Sequence, residues 1–131
     1  MATLPHEDIR AAVRAALAED IGNGDVTSLA TVPDSALIKA FMVAREPLVL
    51  AGIGFAESAF TEMSATVKIE RLIQDGQRAE RGGKLLRIDG SARAILTAER
   101  VALNFVQRLS GVATLTAQFV EAVHGTRAQI L

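Results

Sequence analysis

The segment LTAERVALNFVQRLSG, residues 96–111, carries polar side chains whose types and spacing suit the binding of a small anion. They are Arg100, Asn104, Gln107 and Arg108. On a helix that turns about 100° per residue, they fall on one side, between roughly 240° and 340° from Val101. Arginine and amide groups favour planar hydrogen bonding to a carboxylate or phosphate, and Glu99 could orient the neighbouring guanidinium. Composition by itself favours an ordinary solvated face.

The other side of the same helix is apolar and is expected to pack against the core of the domain. Its members are Ala98, Val101, Ala102, Phe105, Val106 and Leu109. Leu103 falls between the two sides. The helix is therefore amphipathic, and its polar stripe is available to a ligand or to solvent.

Composition narrows the classes of protein to which the chain could belong. The 131 residues suit one domain, half of them are apolar, and the net charge is −1, which argues against a nucleic-acid binder. The absence of cysteine excludes disulfides and thiolate metal sites. No apolar run reaches the length of a membrane span, so we expect a cytoplasmic protein without membrane partners.

The order of the predicted helices and strands along the chain favours an α+β fold. The predicted elements are a helix over 5–20, a strand over 36–45, a short helix ending at Met63, strands over 65–73 and 84–89, and helix over 91–124. In the first helix, Ile9, Val13 and Leu17 form one apolar stripe. Turns are predicted at Asp75-Gly76 and Asp89-Gly90, and Ser110-Gly111 is expected to bend or divide the long helix.

Three other groups of residues carry weaker predictions. Glu19, Asp20 and Asp25 could bind a cation, but Asp20 and Asp25 are more typical of turns and caps, so we predict no metal site. Gly82-Gly83 favours a tight turn over a phosphate cradle. The pair Gly52 and Gly54 lacks the third glycine of a dinucleotide fingerprint.

The last residues, TRAQIL, resume a strand-like pattern. A strand that follows a long helix could close a parallel crossover within one sheet. Alternatively, residues 125–131 begin the first strand of a second domain, which leaves residues 1–124 as the first domain.

Four stretches resemble the N-terminal part of the quinolinate phosphoribosyltransferase family, the carboxylating nicotinate-nucleotide diphosphorylases. They are ALAEDIGNGDVTS, AREPLVLAG, LTAERVALNFVQRLSGVATLT and FVEAVHGTRAQIL. The resemblance implies an N-terminal α+β domain in which helices pack on a small antiparallel sheet with hammerhead-like hairpins. This domain precedes an α/β barrel, which is expected beyond Leu131. It also implies that this chain alone is inactive and holds no catalytic residue.

The resemblance further implies a reaction and a role for Arg100. Family members convert quinolinate and phosphoribosyl pyrophosphate to nicotinate mononucleotide, pyrophosphate and carbon dioxide in NAD biosynthesis. The TAER arginine reaches a substrate carboxylate in the neighbouring subunit of a homodimer or higher homo-oligomer, and here it is Arg100. Glu99, Asn104, Gln107 and Arg108 are supporting candidates, and Leu103, Val112 and Leu115 are expected at the subunit interface. Magnesium is expected with phosphoribosyl pyrophosphate, on ligands in the barrel.

Three alternatives stay open at this point. A related nicotinate phosphoribosyltransferase, or the molybdate-operon relative of the family, would keep the fold and change the substrate. The rhythm of residues 69–90 also resembles a lipoyl or biotinyl carrier, which would need a lysine at an exposed hairpin tip, whereas Lys39, Lys68 and Lys84 fall in or at predicted strands. The chain could also serve only as a dimerisation module.

Overall fold

A computed structural model describes residues 3–22 and 31–131 of the chain. Along the sequence its elements are α1 (His6–Gly22), β1 (Leu37–Val43), β2 (Leu48–Val49), α2 (Ile53–Met63), β3 (Lys68–Arg71), β4 (Arg78–Ala79), β5 (Lys84–Ser91) and α3 (Ala92–Ala122). Every strand pair is antiparallel. The predicted α+β class, with small antiparallel sheets packed by helices, is confirmed.

The larger sheet has the order β1-β5-β3, with β5 in the centre. Met42 of β1 pairs with Leu86, and Ile69 of β3 pairs with Ile88. Met42, Leu86 and Ile88 are buried, so this face of the sheet supplies part of the core.

The prediction that β5 ends in a turn at Asp89-Gly90 is wrong, because the strand continues to Ser91. Gly90 serves a close approach between strands instead. A Cβ atom at this position would lie 3.1 Å from Cγ2 of Val67 and 3.2 Å from its Cα. The glycine therefore lets β5 pass against the residue that precedes β3.

A second, two-stranded sheet pairs β2 with β4. The predicted turn at Asp75-Gly76 is confirmed, with Gly76 at a φ of +89°. The predicted turn at Gly82-Gly83 is confirmed as well, since the Gly82 N–H donates to the Ala44 carbonyl (2.7 Å) and the Ala44 N–H donates to the Gly83 carbonyl (2.9 Å). The glycine pair thus closes a hairpin-like corner of the sheet.

The helices cover the sheets and complete the core. Val13 and Leu17 of α1 are buried, as the predicted apolar stripe requires. The buried residues of α3 include Ala98, Val101, Ala102 and Val106, while Phe105 and Leu109 are half-buried. The predicted apolar face of α3 is confirmed.

The prediction that Ser110-Gly111 divides the long helix in two is wrong, because α3 is one helix of 31 residues. The reason lies in the Ser110 hydroxyl, which is buried and bonded to the backbone of Ala51. The Thr114 hydroxyl, one turn later, accepts from the Val49 N–H at 2.9 Å. These tertiary bonds hold α3 to the segment 48–51 and outweigh the low helix propensity of serine and glycine.

After α3 the chain turns and then runs without regular structure to Leu131. Residues 125–131 have no strand partner among the described residues. A first strand of a further domain would pair with residues outside this chain, so the division into 1–124 and 125–131 stays a prediction.

Candidate functional site

An open groove of about 680 Å³ lies between the C-terminal part of α1 and the middle of α3. It is lined by Ala16, Glu19, Asp20, Arg100, Val101, Leu103, Asn104, Gln107 and Arg108. The groove brings together four of the five site residues that the sequence predicts. Glu99 is exposed and is not part of the lining.

The groove exists because α3 is amphipathic. Arg100, Asn104 and Arg108 recur every fourth residue and therefore lie along one face of the helix. The opposite face is fixed by buried residues such as Ala98 and Val106. The polar groups thus project from a helix whose rotation is set by the core.

Arg100 forms an ion pair with Asp20 across the groove. Its Nη1 donates to Oδ1 of Asp20 at 3.3 Å. The Arg100 side chain is 72% exposed and that of Asp20 only 23% exposed. A guanidinium has five N–H donors, so this single bond leaves most of the group free to bind a ligand.

Sequence reasoning missed Asp20 as the partner of Arg100. The two residues are 80 positions apart, and Asp20 was assigned to a turn or cap. One indication was available in the sequence, since a carboxylate in the last turn of a helix opposes the helix dipole and calls for a compensating cation. The predicted orienting role of Glu99 stays a prediction, because the described residues give it no contact with Arg100.

The wall formed by α1 is fastened to α2 by a second group of charges. Arg10 and Arg14 donate through Nε to the two oxygens of Glu62, at 2.8 and 2.9 Å. Hydrogen bonds from Arg14, the larger cause, and from Arg10 lower the pKa of the Glu62 carboxyl. Together with the buried Val13 and Leu17, these bonds set the position of α1 and therefore of Asp20.

Glu19 and Asp20, two acids of the weak metal prediction, both line the groove. Asp20 is committed to Arg100, and Asp25, the third acid of the weak metal prediction, lies outside the described residues. Within residues 3–22 and 31–131, no three acids or histidines come close enough to share a metal ion. In contrast, Arg108 adds a second positive charge to the groove, and the described part of the chain offers it no ion-pair partner.

The lysines do not have the placement that a carrier domain needs. Lys39 lies within β1 and Lys68 begins β3. Lys84 begins β5, and its Nζ lies 4.2 Å from the centre of the Phe41 ring. All three lie in strands rather than at a hairpin tip, so the observed fold does not favour the carrier alternative.

A second, more apolar groove of about 490 Å³ adjoins the first and shares Leu103 and Gln107 with it. Beyond it, the C-terminal part of α3 exposes several large apolar side chains: Val112 (66%), Leu115 (54%), Phe119 (54%) and Val120 (51%).

In the portion of the chain that the structure describes, α3 and the other helices lack the length of apolar sequence needed to span a bilayer.

The chain is similar to several known proteins. Residues 25–110 match the family model described as "Quinolinate phosphoribosyl transferase, N-terminal domain". The mitochondrial quinolinate phosphoribosyltransferase [decarboxylating] 2a of Nicotiana tabacum is 42% identical over 121 residues, which cover 92% of this chain and 34% of the tobacco protein. The nicotinate-nucleotide pyrophosphorylase [carboxylating] of Mycobacterium leprae is 41% identical over 124 residues, covering 92% of this chain and 44% of that protein.

Among solved structures, NadC from Streptococcus pyogenes superposes with a TM-score of 0.91 at 37% identity, covering 98% of this chain and 46% of that one. The chain thus spans about a third of the tobacco protein and less than half of the two bacterial proteins. Sequence and fold agree with the resemblance noted from the motifs. The chain belongs to the quinolinate phosphoribosyltransferase family and corresponds to its N-terminal domain.

Proposed function

We propose that the complete protein containing this domain is a carboxylating nicotinate-nucleotide diphosphorylase. In this reaction the ring nitrogen of quinolinate attacks the anomeric carbon of phosphoribosyl pyrophosphate, and pyrophosphate leaves. The 2-carboxylate of the resulting pyridinium then departs as carbon dioxide, and C2 takes up a proton from solvent in its place, which gives nicotinate mononucleotide. Family membership and the arginine-lined groove support the proposal.

In this proposal Arg100 binds one carboxylate of quinolinate. The substrate carries two negative charges and meets a second, highly anionic substrate, so the reaction depends on electrostatic positioning. A guanidinium matches the planar geometry of a carboxylate, and a charge-assisted hydrogen bond contributes about 1.5–3 kcal/mol. The exposed Arg100 side chain, with free N–H groups beside Arg108, is the observation that carries this role. Asn104, Gln107 and Glu99 are proposed as supporting residues.

We further propose that Arg100 serves the active site of a neighbouring subunit in a homodimer. Two features favour this arrangement. The guanidinium projects from its own domain, and the same helix carries the exposed apolar residues Val112, Leu115 and Phe119, which are typical of a subunit contact.

Cytoplasmic location is also proposed and would be checked by subcellular fractionation.

Magnesium is proposed as a companion of phosphoribosyl pyrophosphate. The described residues contain no group suited to hold it, so no step is assigned to this ion within the chain. Its protein ligands, if any, belong to the barrel that the family implies.

The reaction is tested by incubating the complete protein with phosphoribosyl pyrophosphate and either quinolinate or nicotinate. We expect nicotinate mononucleotide and an equal amount of carbon dioxide from quinolinate, and no turnover of nicotinate. Turnover of nicotinate without carbon dioxide would favour the alternative nicotinate phosphoribosyltransferase, and turnover of neither substrate would contradict the proposal.

The contribution across subunits is tested by mixing two variants of the complete protein that each have little or no activity alone. One carries Arg100→Ala, and the other is inactivated within its barrel. In a randomly reassociated mixture, half of the dimers are mixed and each has one complete site, so activity should recover to about a quarter of wild type. If Arg100 acts within its own subunit, no activity returns.

A further inference from the structure

Within the described part of the chain, Asp20 is the residue that forms an ion pair with Arg100. The two side chains differ in their exposure to solvent. The Asp20 side chain is 23% exposed and belongs to α1, which the buried Leu17 and the ion pairs of Glu62 attach to the domain. The Arg100 side chain is 72% exposed. The carboxylate is thus the more buried member of the pair and the guanidinium the more exposed one.

The local sequence does not explain why an acid stands at position 20. Asp20 lies in the last turn of α1, where the helix dipole disfavours a negative charge and aspartate is a poor helix former. That turn contains no basic residue to offset the charge. The charge of Asp20 is compensated by Arg100 of α3, whose Nη1 lies 3.3 Å from Oδ1 of Asp20.

We propose that Asp20 is a positioning residue for the phosphoribosyl transfer reaction, holding the Arg100 guanidinium in the orientation that receives a substrate carboxylate. This inference rests on the proposed function. A free arginine side chain loses rotamer freedom when it binds, and a partner that holds it beforehand lowers that entropic cost. Because Asp20 engages only Nη1, the Nε and Nη2 groups remain available for a bidentate contact.

The test uses the complete protein and the variant Asp20→Asn, which keeps the size of the side chain and removes its charge. We expect the KM for quinolinate to rise about two- to fivefold, the range that an exposed ion pair contributes. The kcat and the KM for phosphoribosyl pyrophosphate should stay unchanged, since the preorganised group touches only the dicarboxylate. Asp20→Glu retains a carboxylate and should bring the quinolinate KM back toward the wild-type value.

Two further variants separate positioning from other effects. In an Arg100→Ala background, Asp20→Asn should cause no additional rise in KM, because the group that it positions is gone. Glu19→Gln removes the same charge from the same wall, and Glu19 forms no hydrogen bond or ion pair with Arg100 in the described part of the chain. It should not raise the KM for quinolinate, since a less negative groove does not repel a dianion more strongly.

The inference is overturned if Asp20→Asn leaves the quinolinate KM unchanged or lowers it. It is also overturned if the rise persists in the Arg100→Ala background, or if Glu19→Gln produces the same rise. These results are distinct from failure of the proposed function, in which Arg100→Ala itself would leave quinolinate turnover unaffected.

Discussion

Ser110 and Ala51 exchange two hydrogen bonds between a helix and a strand-like segment. The Ser110 hydroxyl accepts from the Ala51 N–H at 3.0 Å and donates to the Ala51 carbonyl at 3.1 Å. The opposite edge of the same segment is paired with residues 76–77, since the Leu50 N–H donates to Gln77 and the Gly76 N–H donates to Leu50. A helix side chain therefore takes the place of a neighbouring strand for Ala51.

Replacement of this hydroxyl should destabilise the domain. Ser110→Ala leaves the N–H and carbonyl of Ala51 without their partner, and we expect the free energy of unfolding to fall by about 1–3 kcal/mol. Ser58→Ala is the matched control, because Ser58 is also buried but its hydroxyl has no hydrogen-bond partner among the described residues. The control should be neutral or stabilising in denaturant unfolding, and equal losses in both variants would contradict the assignment.

Two glycines, one packed against α3 and one within it, should change the stability of the fold in opposite directions when replaced by alanine. Gly52 has a φ of +88°, and a Cβ there would lie 2.6 Å from Cδ1 of Leu109, so we expect Gly52→Ala to cost about 1–3 kcal/mol. Gly111 lies within the helix, and a Cβ there meets no atom within 4 Å. Gly111→Ala should therefore stabilise the fold by about 0.5–1 kcal/mol. Thermal unfolding of both variants gives the signs, and a loss of stability in Gly111→Ala would be the contrary result.

The Glu62 ion pairs predict a specific dependence of stability on pH. Hydrogen bonds from Arg14 and Arg10 lower the pKa of Glu62 below its usual 4.5. A lowered pKa in the folded state contributes stability that is complete above pH 4.5 and is lost as the pH falls through the folded value. Glu62→Gln should thus lower the free energy of unfolding at pH 6 by about 0.5–1 kcal/mol. It should have little effect at a pH below the folded-state pKa of Glu62.

The control for this pH experiment is Glu7→Gln. Glu7 is exposed in the first turn of α1, and the described residues show no ion pair for it. At pH 6 its replacement should lower the free energy of unfolding by less than Glu62→Gln does, because no ion pair is lost. A Glu62→Gln variant with the same slope as wild type would exclude the ion pairs as its source.

Loss of the Arg100 guanidinium should weaken turnover without weakening the fold. In the complete protein, Arg100→Ala should reduce kcat/KM for quinolinate by about ten- to a hundredfold, as expected for one charge-assisted hydrogen bond. The midpoint of thermal unfolding should stay near that of wild type, because the side chain is 72% exposed. An unchanged kcat/KM in an intact dimer would reject the role.

A charge on the exposed apolar part of α3 should disrupt assembly. Leu115→Asp places a carboxylate on the face shared with Val112 and Phe119, and we expect dissociation of the complete protein in sedimentation velocity. Ala12→Asp adds the same group at an exposed position of α1 and should leave the dimer intact. Equal sedimentation of both variants as dimers would place the subunit contact elsewhere.

The periodic parts of this fold follow from the sequence, while its long-range polar contacts do not. Val13 and Leu17 were assigned to a buried stripe because their spacing repeats every helical turn. The same reasoning separated the buried Val106 from the exposed Arg108. Apolar periodicity is local, so a single sequence is enough to reveal it.

The contacts that complete the groove depend instead on residues far apart in the chain. Asp20 meets Arg100 across 80 positions, and Ser110 meets Ala51 across 59. In each case the local pattern predicts a different role, a cap or a bend, because these side chains also serve such roles. Only the packing of α1 and α3 on a common core decides between them.

The unbroken course of α3 joins two regions of the molecule mechanically. The helix is continuous between Arg100 and Leu115, which are about 22 Å apart along its axis at 1.5 Å per residue. A tilt imposed at the apolar end would carry the guanidinium along as part of the same body. If the proposed dimer forms through this apolar end, its geometry and the position of the Arg100 guanidinium depend on the same continuous helix.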